Sequence, residues 1–152
     1  MGKEESPTQA SGQLGLRNAS LILIGSEAGF LGVTGNPDYA ASKSAVQTGL
    51  MLSLAADAAR THQHARVNAV CPGAVDTAQF QRECSEDPTG MLKWTESEAT
   101  VPLRVPVSRE HIARTCLMLA SDKWSGSMTG QAVRIDSGKS GRLFWDPPQP
   151  AA

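Results

Sequence analysis

Tyr39 and Lys43 stand four residues apart, and Ser26 precedes Tyr39 by thirteen. On a helix, a spacing of four puts a phenol and an ammonium on one face. An ammonium beside a phenol favours the phenolate and lowers its pKa, which suits a general acid/base exchanging a proton with an alcohol or carbonyl oxygen. The Ser26 hydroxyl, leaving the end of a strand, can hold the same oxygen from another side. Ligands of open α/β sheets bind at such strand ends. Tyr-x-x-x-Lys by itself equally describes a solvated surface pair, so the elements around it decide what it means.

Leu21–Ile24 is a continuous apolar run, as in a strand covered on both faces of a parallel sheet. Pro37 then punctuates a loop. The alanine-rich stretch 38–60 predicts a long helix carrying Ala41, Ala45, Gly49 and Leu52 at spacings of three or four. Ala65–Val70 reads as a second strand stopped by Cys71-Pro72-Gly73, and Gln131–Ile135 as a third. Ser108 is placed to cap a helix running to about residue 121. Residues 78–106, with Pro88, Gly90, Pro102 and Pro106, allow only short helices. Strand and helix in alternation predict an α/β fold, a partial doubly wound sheet of about three parallel strands flanked by helices.

The stretch Gly25, Gly29, Gly32, Gly35 after the first strand invites a phosphate-loop reading. Its intervals and the following Val-Thr-Gly-Asn-Pro argue against a helix N-terminus aimed at a phosphate. A net charge of -1 offers no electrostatic footprint for nucleic acid or an anionic membrane. No apolar run is long enough to span a bilayer. Cys71, Cys84 and Cys116 are scattered and form no Cys-x-x-Cys pair, which predicts reduced thiols and a cytoplasmic location. His62 and His64, two apart, point to different sides of a helix, and no metal site is expected.

Four segments follow in order: Ser26; Tyr39-Ala-Ala-Ser-Lys43; Arg66-Val-Asn-Ala-Val-Cys-Pro72-Gly73-Ala-Val75-Asp-Thr77; and Met128-Thr-Gly130 through Asp136-Ser-Gly138. Together they resemble the short-chain dehydrogenase/reductase family over roughly residues 20–140. The resemblance implies an NAD(P)-dependent oxidoreductase interconverting a ketone and a secondary alcohol. The cofactor is NADP or NAD, with NADP slightly preferred, since the residues that discriminate them lie outside the matching half. It implies Tyr39 as acid/base, Ser26 orienting the substrate carbonyl, and Lys43 holding the nicotinamide ribose beside Tyr39. It further implies that Pro72, Gly73, Val75 and Thr77 face the nicotinamide and its carboxamide, and that 78–106 is a substrate lid. Phe80, Met91, Leu92 and Trp94 would line its apolar pocket or simply pack.

In that family a glycine-rich cofactor turn, an Asn-Asn-Ala-Gly motif and an active-site asparagine lie upstream of the serine. Only 25 residues precede Ser26, Gly12 and Gly15 follow no strand, and Asn18 is too close to Ser26. The expectation is therefore a truncated domain over 19–141, the C-terminal half of the family fold, between a flexible polar arm (1–18) and a proline-rich disordered tail (142–152). The alternative to an enzyme is a catalytically incompetent remnant. Its helix 38–60 would then dock on a second copy or on an intact relative.

Overall fold

The computed structural model describes residues 18–148. Three parallel strands form one sheet in the order β1-β2-β3: β1 is Ala19–Ile24, β2 Ala65–Pro72 and β3 Ala132–Ile135. The register pairs Ala19 with Ala65 through Ile24 with Val70, and Ala69 with Ala132 through Pro72 with Ile135. Backbone bonds then extend the sheet beyond the strand ends. Gly25 N–H donates to Val70 O, Glu27 N–H to Pro72 O and Gly73 N–H to Ile135 O, at 2.8, 2.8 and 2.9 Å. Cys71 and Pro72 thus belong to β2 instead of stopping it, because Pro72 needs no N–H partner and its carbonyl still accepts.

β2 is buried along nearly its whole length, and its alternate residues face two helical layers. Val67, Ala69 and Cys71 form the core with Met51 and Ala55. Arg66 and Asn68 face the other way. The Arg66 guanidinium donates to Leu119 O, Ser125 O and Ser125 Oγ at 2.9 Å, and to Asn18 Oδ1 and Ala120 O. These carbonyls close the C-terminal end of helix α6 (Arg109–Ala120), whose N-terminus is capped by the Ser108 hydroxyl.

The helix expected over 38–60 runs from Pro37 to Thr61, but it is not uniform. It comprises α2 (Pro37–Ser44), a π-turn (Ala45–Leu50) and α3 (Met51–Thr61). Two one-turn helices, α1 (Ala28–Leu31) and α7 (Asp122–Ser125), were not foreseen. The region 78–106 contains only α4 (Ala78–Glu86) and α5 (Leu92–Ser97). Within the expected tail, Phe144 N–H donates to Ala99 O and Trp145 Nε1 to Val101 O, so this segment lies against residues 99–101. Most of the expected arm and residues 149–152 lie outside the described residues. Among the described residues no helix is long and apolar enough to cross a membrane.

Candidate active site

Ser26 lies where β1 ends. Its backbone N–H donates to Gln47 Oε1 (2.8 Å), and its Oγ accepts from Ala28 N–H at the start of α1 (3.2 Å). The serine is buried; the first bond fixes its main chain and the second its Oγ, while the hydroxyl proton stays available to donate. Tyr39 lies in the first turn of α2 and is 46% exposed, so the phenol stands on the rim. Lys43 Nζ lies 5.7 Å from the Tyr39 ring centroid and donates to Ile24 O at 3.1 Å. The lysine therefore ties its helix to the end of β1, two residues from Ser26. One helix thus carries Tyr39 beside Lys43, ties Lys43 to Ile24 O and, through Gln47, holds the Ser26 main chain.

The segment 72–77 leaves β2 at the same end of the sheet. Val75 pairs with Val107, and bonds between Asp76 N–H and Val107 O and between Val107 N–H and Ala74 O hold the turn, each at 2.8 Å. Gly73 is tightly placed: a Cβ there would lie 2.8 Å from Glu27 Oε2 and 2.9 Å from Asp136 Cα. The Thr77 hydroxyl caps α4, accepting from Phe80 N–H at 3.1 Å. Phe80 and Leu92 line a cavity of about 280 Å³ with Val33, Asn36, Glu83 and Glu96. Met91 is not among its walls, and Trp94 Nε1 instead donates to Asp146 O.

The one-turn helix α1 does fall inside the glycine-rich stretch. Its N-terminal position is occupied by Glu27, and Ser26 Oγ takes the Ala28 N–H. The Glu27 side chain makes no bond to the helix and pairs with Lys139 instead, while the start of α1 is bonded to Ser26.

Sequence reasoning missed three charged residues. Lys139 Nζ donates to Glu27 Oε1 (2.9 Å), Glu96 Oε2 (3.1 Å) and Glu96 O (3.2 Å). This cluster joins the loop after β1, helix α5 and the segment after β3. Burial pushes the Glu27 carboxyl above its ordinary range despite the opposing pull of Lys139. Burial alone would lower the Lys139 ammonium, but Glu27 and Glu96 raise it above its ordinary value. No local spacing marks this cluster, since its members are 43 and 112 residues apart. Cys71, under Ser26, is pushed up to about 11 by burial, so its thiol is no nucleophile at neutral pH. The described residues hold no group of three or more His, Cys, Asp or Glu able to bind a metal ion.

A family profile described as enoyl-(acyl carrier protein) reductase matches residues 7–140. The chain belongs to the short-chain dehydrogenase/reductase family. Among relatives of this short-chain dehydrogenase/reductase, a Thermotoga maritima 3-oxoacyl-[acyl-carrier-protein] reductase is 33% identical over 126 residues, 80% of this chain and 46% of that protein. A rat dehydrogenase/reductase SDR family member 6 is 37% identical over 131 residues, 84% of this chain and 51% of that protein. In three dimensions, a short-chain dehydrogenase family protein from Francisella tularensis superposes with a TM-score of 0.69 at 31% identity, covering 80% of this chain and 50% of its own. The chain spans about half the length of the relatives it matches.

Proposed function

We infer that this short-chain dehydrogenase/reductase acts on a ketone and its secondary alcohol, with Tyr39 as proton donor and acceptor. The observation supporting this reading is that the helix bearing Tyr39 and Lys43 is bonded, through Lys43 and Gln47, to the strand end that bears Ser26. In the reductive direction the Tyr39 phenol gives its proton to the substrate oxygen, and the Ser26 hydroxyl donates a hydrogen bond to that oxygen. The charge growing there is met by both donors at once. Lys43 has donor capacity beyond its bond to Ile24 O, and its cation stabilises the phenolate left behind.

The donor set suits the nicotinamide end of NADP or NAD. Tyr39 and Lys43 would hold its ribose, and Pro72, Gly73, Val75 and Thr77 would flank its ring and carboxamide. A bound nicotinamide supplies the hydride. The N-terminus of α1 is not available to a pyrophosphate in this reading, its Ala28 N–H being bonded to Ser26 Oγ. The substrate belongs in the cavity between Val33, Phe80 and Leu92. The free thiols at Cys71, Cys84 and Cys116 fit a reducing compartment, and the cytoplasm is the proposed location.

The test is titration of the chain with NADPH and with NADH by fluorescence, followed by turnover of a panel of ketones. Tyr39→Phe should retain cofactor binding and lose about 100-fold or more in kcat. A chain that binds neither nucleotide at millimolar concentration is not an enzyme by itself. A second reading, an association module, draws on the apolar residues half-exposed on β1 and the long helix, Leu21, Ile24, Leu50 and Leu52.

A further inference from the structure

Gln47 is fully buried, yet its side chain is polar and its Nε2 makes no hydrogen bond within the described residues. An unpartnered amide nitrogen in the interior costs free energy that a methionine of similar length would not incur. The surroundings nevertheless make room for it. A Cβ at Gly25 would lie 2.3 Å from Gln47 Oε1, and one at Gly29 would lie 2.5 Å from Gln47 Nε2. Two glycines flanking Ser26 on either side thus leave the space that this amide fills.

The π-turn explains how Gln47 reaches that space. Met51 N–H reaches back five residues to Val46 O. In an α-helix, residues four apart drift by about 40° around the axis. The wider π-turn takes more residues per revolution, so Lys43, Gln47 and Met51 stay nearly in line. The helix can then bury Gln47 beneath Ser26 while keeping Lys43 at the rim and Met51 in the core.

We propose that Gln47 is a positioning residue: from the π-turn it holds the Ser26 main chain, and thereby aims the Ser26 hydroxyl at the substrate oxygen. This rests on the role assigned above to Ser26. The bond concerned is Ser26 N–H to Gln47 Oε1. Its neighbours Gly25 N–H and Glu27 N–H instead donate to Val70 O and Pro72 O on β2. Loss of the Gln47 acceptor therefore frees one amide and leaves the two beside it paired.

The experiment compares residue-resolved amide exchange by NMR in the wild-type chain with Gln47→Met, which keeps length without an acceptor, and with Gln47→Asn, which withdraws the acceptor by one methylene. Ser26 exchange should quicken about 10-fold in either variant, with Gly25 and Glu27 unchanged. Gln47→Glu, which retains an acceptor, should restore protection. In turnover, Gln47→Met should lower kcat about 10-fold with KM within about 2-fold, and Gln47→Glu should recover most of it. Unchanged Ser26 exchange, or equal quickening of all three amides, overturns the proposal. So does an unchanged kcat in Gln47→Met where Ser26→Ala loses activity. If Ser26→Ala itself keeps full turnover, the reading of Ser26 fails, while the exchange result still decides whether Gln47 holds it.

Discussion

Tyr39, Lys43 and Glu27 crowd one strand end but carry different loads, which their variants should separate. The Tyr39 phenol is on the rim and supports little packing, whereas Lys43 Nζ is bound to Ile24 O. Tyr39→Phe should thus leave the urea midpoint almost unchanged, and Lys43→Met should lower stability by about 1 kcal/mol through the lost bond. Glu27 is expected to show in the pH dependence. Its folded-state carboxyl is raised above the ordinary 4.5, burial being the main cause, so the folded chain holds that proton more tightly than the unfolded one. Stability contributed by the protonated form is present below the unfolded value and is lost as pH rises through the folded one. Glu27→Gln cannot make this titration. Its stability relative to wild type should therefore rise as pH increases past the ordinary carboxyl value and level off above the raised folded-state one, as read by urea unfolding across the pH range. A difference that falls with rising pH would mean that the ion pair with Lys139 outweighs burial.

At the level of elements, Arg66 links β2 to the end of α6 and to Ser125 in α7 through bonds to carbonyl and hydroxyl oxygens. Removing the guanidinium leaves several buried acceptors without a donor, each worth about 1 kcal/mol or more. Arg66→Met should cost about 3 kcal/mol in urea unfolding with an unchanged denaturant slope, and amides of α6 near Leu119 should lose exchange protection first. Much of this scale was readable from sequence. The continuous apolar run at 21–24, the short strand segment 65–70 and the Ser108 cap are local signals that depend on neighbouring residues alone. The pairing of Tyr39 with Lys43 followed from helical spacing. The π-turn was not legible, since no local signal in Ala-Val-Gln-Thr-Gly-Leu marks it and its Gln47 is held by Ser26 in the loop after β1. The charged cluster of Glu27, Glu96 and Lys139 was equally hidden, because only the folded sheet brings its parts together.

For the molecule as a whole, the sheet order makes β1 and β3 the outer strands among the described residues. Parallel sheets are ordinarily covered on both faces, and β1 falls short of this. Leu21 and Ile24 alternate to opposite faces of β1, yet both are about half exposed. Leu50 and Leu52 are comparably exposed on the adjoining helix. An unpaired strand edge bordered by apolar side chains is a template for pairing with another chain. The chain of 16.0 kDa should therefore sediment as a larger species at tens of micromolar. If β1 carries the contact, Leu21→Lys combined with Ile24→Lys should shift the distribution toward monomer. Leu117→Lys, at an apolar and still more exposed position on α6, should not. A wild-type monomer at about 100 µM would show that β1 tolerates water along its free edge, and would remove the support for an association module.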